Sequence, residues 1–392
     1  MSGRMQRLSF AATVACVAVV VAGLPAVARG QDCDNTSVGF TPLNDLGQGL
    51  YQGQQGGLYP GGFNQRPAAH DDAGRLIARQ VRPLNAAGEP DPQNGRIGLV
   101  TIGMSNTSQE SGPFIQLYNA FPNRSQRVVI VNGAQGGQDA IDIADPDAAF
   151  WDIVDDRLSA AGLTPLQVQA VWLKEAIARP GVQFPDDVFP QDAERLRDLL
   201  RVIVQIIRDR YPNVRLTYVS SRIYAGYATT NLNPEPYAYQ SGFAVKFLIA
   251  DQIAGDPGLN FNPQAGAVEA PWLSWAAYTW ADGLTPRSDG LIWPCSDFQD
   301  DGTHPSPSGA SKVAHMLLNH FAGDATTRPW FVRRPADLDN DGDVDIADLA
   351  RLLARYGFCR GQPGYDAATD INGDGCTGLP DLALLLGTYG AQ

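Results

Sequence analysis

The sequence predicts a three-layer α/β/α domain on a parallel sheet, followed by a small all-α calcium-binding domain with paired EF-hand-like loops. Three observations carry that expectation. Short apolar runs alternate with helical periodicity between residues 96 and 325, the pattern of buried parallel strands joined by crossover helices. The segment 336–392 repeats one spacing of oxygen donors and glycine twice. An apolar content of 44% against 18% charged residues in a chain of 392 supplies a large core and excludes a disordered protein.

Residues 1–30 read as a secretory signal. Arg4 and Arg7 precede an apolar run over 10–24, and Ala26-Val27-Ala28 offers the small residues of a cleavage site, so the mature chain is expected to begin near Gln31. The run is short for a bilayer, and no later stretch has about 18 unbroken apolar residues, so no membrane span is expected in the mature chain. The protein is therefore expected to be secreted or extracytoplasmic, at the cell surface or in the periplasm. Loss of Arg4, Arg7 and Arg29 with no acid takes the formal charge from −13 to −16, which disfavours nucleic acid as a partner. Cys16 leaves with the signal. The remaining four cysteines allow three disulfide connectivities, of which Cys359–Cys376 within the tail and Cys33–Cys295 is the natural set.

Residues 31–95 are rich in Gly, Gln, Pro and Asn and show neither strand alternation nor a long helical period, which predicts an irregular N-terminal wrap. The domain at 96–325 then offers strands at 97–102, 127–131, 168–173 and 215–220, with strong helices at 191–210 and 308–321. In such folds the chemistry sits at the carboxyl ends of the strands. Polar residues follow three of those ends: Ser105, the stretch 132–139, and Lys174-Glu175. The Pro-flanked stretch 326–335 predicts a linker, with Trp330 and Phe331 free to pack on either neighbour.

In the tail, Asp337, Asp339, Asp341, Asp345 and Asp348 stand at positions 1, 3, 5, 9 and 12 of a loop, with Gly342 at the sharp turn and Asp343 offering its carbonyl at position 7. A second copy begins 33 residues later, with Asp370, Asn372, Asp374, Gly375, Cys376 and Asp381 at the corresponding places. Leu349, Leu352, Leu353, Tyr356 and Gly357 recur as Leu382, Leu385, Leu386, Tyr389 and Gly390, so one amphipathic helix follows each loop. From Asp337 onward ten Asp stand against three Arg, an excess that divalent cations would offset; two Ca2+ sites are expected.

This tail resembles a type I dockerin, with Asp at position 12 and one helix per loop. The resemblance implies calcium-dependent folding and docking on a cohesin-like protein through positions 10 and 11, here Ile346-Ala347 and Leu379-Pro380. Those pairs depart from the small hydroxyl pair common in that family, and Gly378 replaces the ligand at position 9 of the second loop.

In the body, Asp301 and His304 lie three apart in Asp301-Gly302-Thr303-His304-Pro305-Ser306, just before the helix at 308–321. That spacing lets an Asp fix the tautomer of a His base that faces a Ser. Among the four histidines, His315 and His320 fall on the helix and His70 is the remaining competitor. Here the chain resembles the SGNH, or GDSL-like, hydrolase superfamily over about residues 96–323, and hence a flavodoxin-like three-layer fold. The Ser block matches at Ser105, with Met104 where the family has Asp. The Gly block resembles 131–137, in which Gly137 fits the oxyanion-hole position best and Gly136 next. The third block departs: Lys174 stands near where the family has Asn, or Gln in its sialate-esterase branch. An ammonium there would donate to an oxyanion; the other reading is a structural ion pair with Glu175 or another acid.

The expected chemistry is acyl-ester hydrolysis by Ser105, His304 and Asp301 without a cofactor for catalysis, on an ester such as an acetylated polysaccharide. Aromatics at 272–280 and 224–239 either stack on sugar rings or pack in the core. The alternative expectation is a non-catalytic extracellular or envelope assembly protein with a degenerate hydrolase body.

Overall fold

The computed structural model describes residue 1, residues 30–339 and residues 343–390. The signal expected at 1–30, its end residues aside, and Asp341 lie outside the described residues. Ahead of the body, the chain is irregular over 30–67 but for two helical turns, Leu43–Leu46 and Pro60–Gly62, and a hairpin of Leu50–Tyr51 with Gln54–Gln55. Helix α1, Ala68–Ala78, corrects the expectation that 31–95 lacks helix. Its Gly74 lies so close to the Trp272 indole that an added Cβ would come within 2.3 Å of it. A glycine inside a short helix breaks the periodic signal by which helices are read.

The five strands are β1 (Ile97–Gly103), β2 (Val128–Asn132), β3 (Val168–Lys174), β4 (Leu216–Ser220) and β5 (Trp272–Trp275). They lie in the order β2-β1-β3-β4-β5, every neighbouring pair parallel. Every residue of β1, β3, β4 and β5 is buried, which is why the first three of these read as largely apolar runs. Connecting them are α2 (Ser105–Ala120), α3 (Ala149–Ala160), α4 (Gln191–Arg210) and α5 (Tyr237–Ile253), and α6 (Pro307–Gly323) follows β5. The β1-to-β2 crossover steps one way and the later ones step back. Right-handed connections therefore place α2 on one face and α3, α4 and α5 on the other. α6 packs on α2, and α4 on α5.

Helix α4 shows how sequence writes this layer. Asp192 and Glu194 occupy its first turn and Arg208 and Arg210 its last, matching the helix dipole, while Leu196, Leu200, Ile203, Val204 and Ile207 form one buried stripe. The fifth strand was not anticipated, because four residues with two tryptophans carry no strand period. Trp272, Trp275, Tyr278 and Trp280 are at most 5% exposed, so these aromatics pack in the core rather than offering sugar platforms.

The stretch 326–335, expected as a linker, belongs largely to the body. Trp330 and Phe331 are buried, and the Phe331 ring packs on Phe114, Tyr118 and Phe321. The tail holds α7 (Ile346–Ala354) and α8 (Leu379–Thr388), closed over Leu338, Val344, Leu352 and Leu385. Disulfides join Cys33 to Cys295 and Cys359 to Cys376. Among the described residues, no helix is long and apolar enough to cross a membrane.

Candidate active site

Strand β1 ends at Gly103 and the chain turns at once into α2. Gly103 has φ +150°, and a Cβ there would fall 2.0 Å from the Lys174 carbonyl oxygen, so only glycine lets β1 leave the sheet beside β3. Met104 caps α2 with an extended backbone, which makes Ser105 its first residue. The Ser105 amide is therefore one of the unpaired donors of a helix start, where the dipole favours negative charge. The turn is pinned by the Thr107 hydroxyl, which donates to the Lys174 carbonyl at 2.5 Å.

Opposite Ser105 the segment 298–305 folds back on itself, with the Gln299 amide donating to the His304 carbonyl at 2.9 Å. Gly302 takes φ +66° with the Tyr227 carbonyl 2.1 Å from where a Cβ would stand, and this turn brings Asp301 and His304 onto one side. Asp301 Oδ1 accepts from the Thr303 and His304 amides, both at 2.9 Å, and its Oδ2 meets His304 Nδ1 at 2.5 Å. His304 Nε2 lies 2.7 Å from Ser105 Oγ. Asn106 ties the two segments together by donating through Nδ2 to the Thr303 carbonyl at 3.0 Å. Partial burial pushes the Asp301 carboxyl up, but the hydrogen bonds from His304 and the two amides outweigh it and hold it at about 2. Asp301 is thus a carboxylate wherever the protein is folded in mild acid or above.

Gly137, in the loop after β2, takes φ +77° with open space around it and lines the cleft with Ser105. Its loop is anchored on both sides. The Gln135 amide donates to the Gly103 carbonyl at 2.9 Å, and Asp139 caps the following turn while accepting from the Ala178 amide at 2.8 Å.

Lys174 is not placed to serve an oxyanion. It is fully buried, and its Nζ lies 2.6 and 2.7 Å from the two carboxylate oxygens of Glu110 on α2. The partner acid is thus Glu110, not the adjacent Glu175, because alternate residues of a strand face opposite sides of the sheet. Burial raises the Glu110 carboxyl and lowers the Lys174 ammonium against their mutual attraction. The competitor His70 is also accounted for: it is buried, stacks on Trp272, and its Nε2 meets the Leu273 carbonyl at 2.8 Å.

The cleft encloses about 380 Å³. Beyond the expected residues it is lined by Arg222, which follows β4, and by Asn233, whose amide donates to Ala178 and whose Nδ2 donates to the Ile177 carbonyl. Both were missed. The signal for Arg222 was its position two residues past the end of a strand, the rule already applied to three other strand ends.

In the tail, carboxylate oxygens of Asp337, Asp339 and Asp348, and again of Asp343, Asp345 and Asp348, come within 4.8 Å of one another. Such crowding of like charges fits a hard divalent cation held by oxygen. Asp348 is already oriented by the Leu338, Asp339 and Asp345 amides. In the second loop, Asp370 Oδ1 is buried without a hydrogen-bond partner, Asp381 accepts from the Asn372 and Gly378 amides, and Asn372 donates to Asp374. The Sγ of Cys376 lies in its disulfide, leaving only its carbonyl to offer.

No protein-family model matches the chain, and no curated protein matches it. Among solved structures it is similar to a gut microbial diltiazem-metabolizing enzyme, at 16% identity over 62% of this chain and 48% of that one, TM-score 0.34. It is similar to an α/β hydrolase enzyme from the metagenome of Lake Arreo, Spain, at 18% identity over 59% and 94%, TM-score 0.32. A third is the C-terminal catalytic domain of Streptococcus pneumoniae peptidoglycan O-acetyltransferase A, at 13% identity over 61% and 98%, TM-score 0.29. These likenesses are distant, and the chemistry of the cleft follows from its own side chains.

Proposed function

We propose that this protein is an exported serine esterase that hydrolyses acyl esters, with a calcium-binding tail. The observation that carries the reading is the chain of contacts from Ser105 Oγ to His304 Nε2 at 2.7 Å and from His304 Nδ1 to Asp301 at 2.5 Å. In an acyl transfer, Ser105 Oγ forms a bond to the ester carbonyl carbon while His304 Nε2 takes its proton. The carbonyl oxygen becomes an oxyanion, which the Ser105 and Gly137 amides receive at the helix start. Collapse breaks the bond to the alcohol, which leaves with the proton held by His304. Water then repeats the sequence on the acyl-enzyme and frees Ser105. Asp301, held as a carboxylate, keeps Nδ1 protonated and Nε2 free to accept throughout. An acetylated polysaccharide suits an exported enzyme with an open cleft.

For the tail, Asp337, Asp339, Asp343, Asp345 and Asp348 would hold one Ca2+, and Asp370, Asn372, Asp374, the Cys376 carbonyl and Asp381 a second. The ions would cross-link loops to helices in a unit with a very small apolar core. Ile346 and Leu379 are 64% and 67% exposed at the start of α7 and α8, which supports docking of a cohesin-like partner on that face.

The test is hydrolysis of p-nitrophenyl acetate and an acetylated xylan by the protein beginning at Gln31, compared with Ser105→Ala and His304→Ala. Loss of activity in both variants is expected. Absence of activity in the intact folded protein would instead support the non-catalytic assembly role.

A further inference from the structure

Arg222 is 1% exposed, lines the Ser105 cleft, and has neither Nε nor Nη2 hydrogen-bonded to any protein atom. A guanidinium carries five donors and cannot shed its charge, so burying it unpaired is costly unless something else meets it. Three of the four acids around it are already engaged, and the fourth, Glu175, is buried with Oε2 unpartnered. Glu110 is taken by Lys174, Asp301 by His304, and Glu235 by the Ala225 and Tyr239 amides and the Trp280 indole. Glu175 makes no bond to Arg222, and burial raises its carboxyl well above the ordinary range, toward the uncharged form.

A second orphan belongs to another residue that lines the same cleft. Asn233 is 4% exposed and its Oδ1 has no hydrogen-bond partner. Its amide orientation is fixed, because Nδ2 donates to the Ile177 carbonyl. It holds φ +48°, a conformation uncommon outside glycine that Asn tolerates. Two residues that line the cleft beside Ser105 thus each carry buried polar atoms without a protein partner, one cationic and one a neutral acceptor.

We propose that Arg222 and Asn233 form a subsite for a carboxylate and a neighbouring hydroxyl, so that the substrate is an acylated hydroxy acid of the uronic acid type. This rests on the esterase reading and narrows its substrate. The guanidinium grips the carboxylate through two parallel hydrogen bonds, and Asn233 Oδ1 accepts from the hydroxyl. Both fix the sugar ring while its ester reaches Ser105.

The decisive pair of substrates is mono-O-acetyl glucuronic acid and mono-O-acetyl glucose, which differ only in carboxylate against hydroxymethyl. The wild-type ratio of kcat/KM should favour the uronate at least about tenfold, the scale of a charge-assisted hydrogen bond. In Arg222→Gln that ratio should fall to about one, with Arg222→Lys between. A wild-type ratio near one, or one unmoved by Arg222→Gln, overturns the proposal. So does hydrolysis of p-nitrophenyl acetate with no hydrolysis of the acetylated uronate, an outcome that leaves the esterase reading standing. If no ester is hydrolysed, the esterase reading fails, and calorimetric titration of glucuronate against glucose decides the subsite separately. Binding of glucuronate alone, weakened by salt, supports the subsite even where Arg222→Gln fails to fold; equal or absent binding of both sugars refutes it.

Discussion

Removing Lys174 from its pair with Glu110 separates a structural ammonium from a catalytic one. Both side chains are fully buried and the two contacts are 2.6 and 2.7 Å, so Lys174→Met leaves a carboxyl in a space with no water to receive it. Breaking a buried pair from one side costs about 3–5 kcal/mol. For a body of this size that lowers the melting temperature by on the order of 10 °C. The double variant Lys174→Met/Glu110→Leu removes the stranded carboxyl as well and should recover most of the loss. Thermal unfolding by circular dichroism measures both, and kcat on p-nitrophenyl acetate in the folded double variant measures the chemistry. Loss of a true oxyanion donor would cost about 10²–10³ in kcat. A Lys174→Met protein melting within 2 °C or so of wild type would refute the structural account. A stable double variant slowed by that factor would return Lys174 to the catalytic apparatus.

Asp301→Asn should lower kcat by about 10⁴ while leaving the fold intact, because the wrong imidazole tautomer then faces Ser105; steady-state kinetics with a melting curve as control checks this. Asp301 is held at about 2, below its unfolded value of 3.8, so its contribution to stability is full above that unfolded value and disappears only as pH falls toward 2. The stability lost in Asp301→Asn should therefore be full near neutrality and shrink to nothing toward pH 2, so that the slopes of stability against pH differ only in that window. His70 shows the opposite proton balance: burial lowers its pKa from 6.5, so below about pH 6.5 the unfolded chain binds a proton the folded one refuses, and stability falls. The slope of stability against pH around 6 should flatten in His70→Gln, measured by urea unfolding. Gly103→Ala should cost about 2 kcal/mol or more, since φ +150° and a carbonyl 2.0 Å away allow no Cβ; a melting point equal to wild type would sink that argument. Calcium titration followed by circular dichroism should show the tail gaining helix, and Asp337→Ala with Asp370→Ala should abolish the change. A flat titration of the wild type would remove the metal from the tail.

Where one physical cause dominated, the sequence was legible. Buried parallel strands announce themselves as apolar runs, so four of five were readable to within about a residue at each end. The fifth, Trp272–Trp275, was too short for its pattern to differ from a cluster of aromatics. Asp301 and His304 were readable because their spacing is local, and Ser105 because it follows a strand end. Lys174 stood at the right place in the chain, yet its side chain was claimed by Glu110, and no local rule reports which side of a strand a long side chain leaves by. Arg222 and Asn233 became visible only when β4 and the segment after it were laid across the cleft. Both orphan groups are properties of packing, not of sequence spacing.

Ser105 and His304 are 199 residues apart along the chain and 2.7 Å apart in space. Ser105 follows the first strand of the sheet in chain order, whereas His304 arrives only after the fifth. Everything between them must be folded before the hydroxyl has anything to give its proton to. A nascent or clipped chain that stops before residue 301 therefore lacks the partner that Ser105 meets in the folded protein, and the proposed serine chemistry would appear only as the last act of folding.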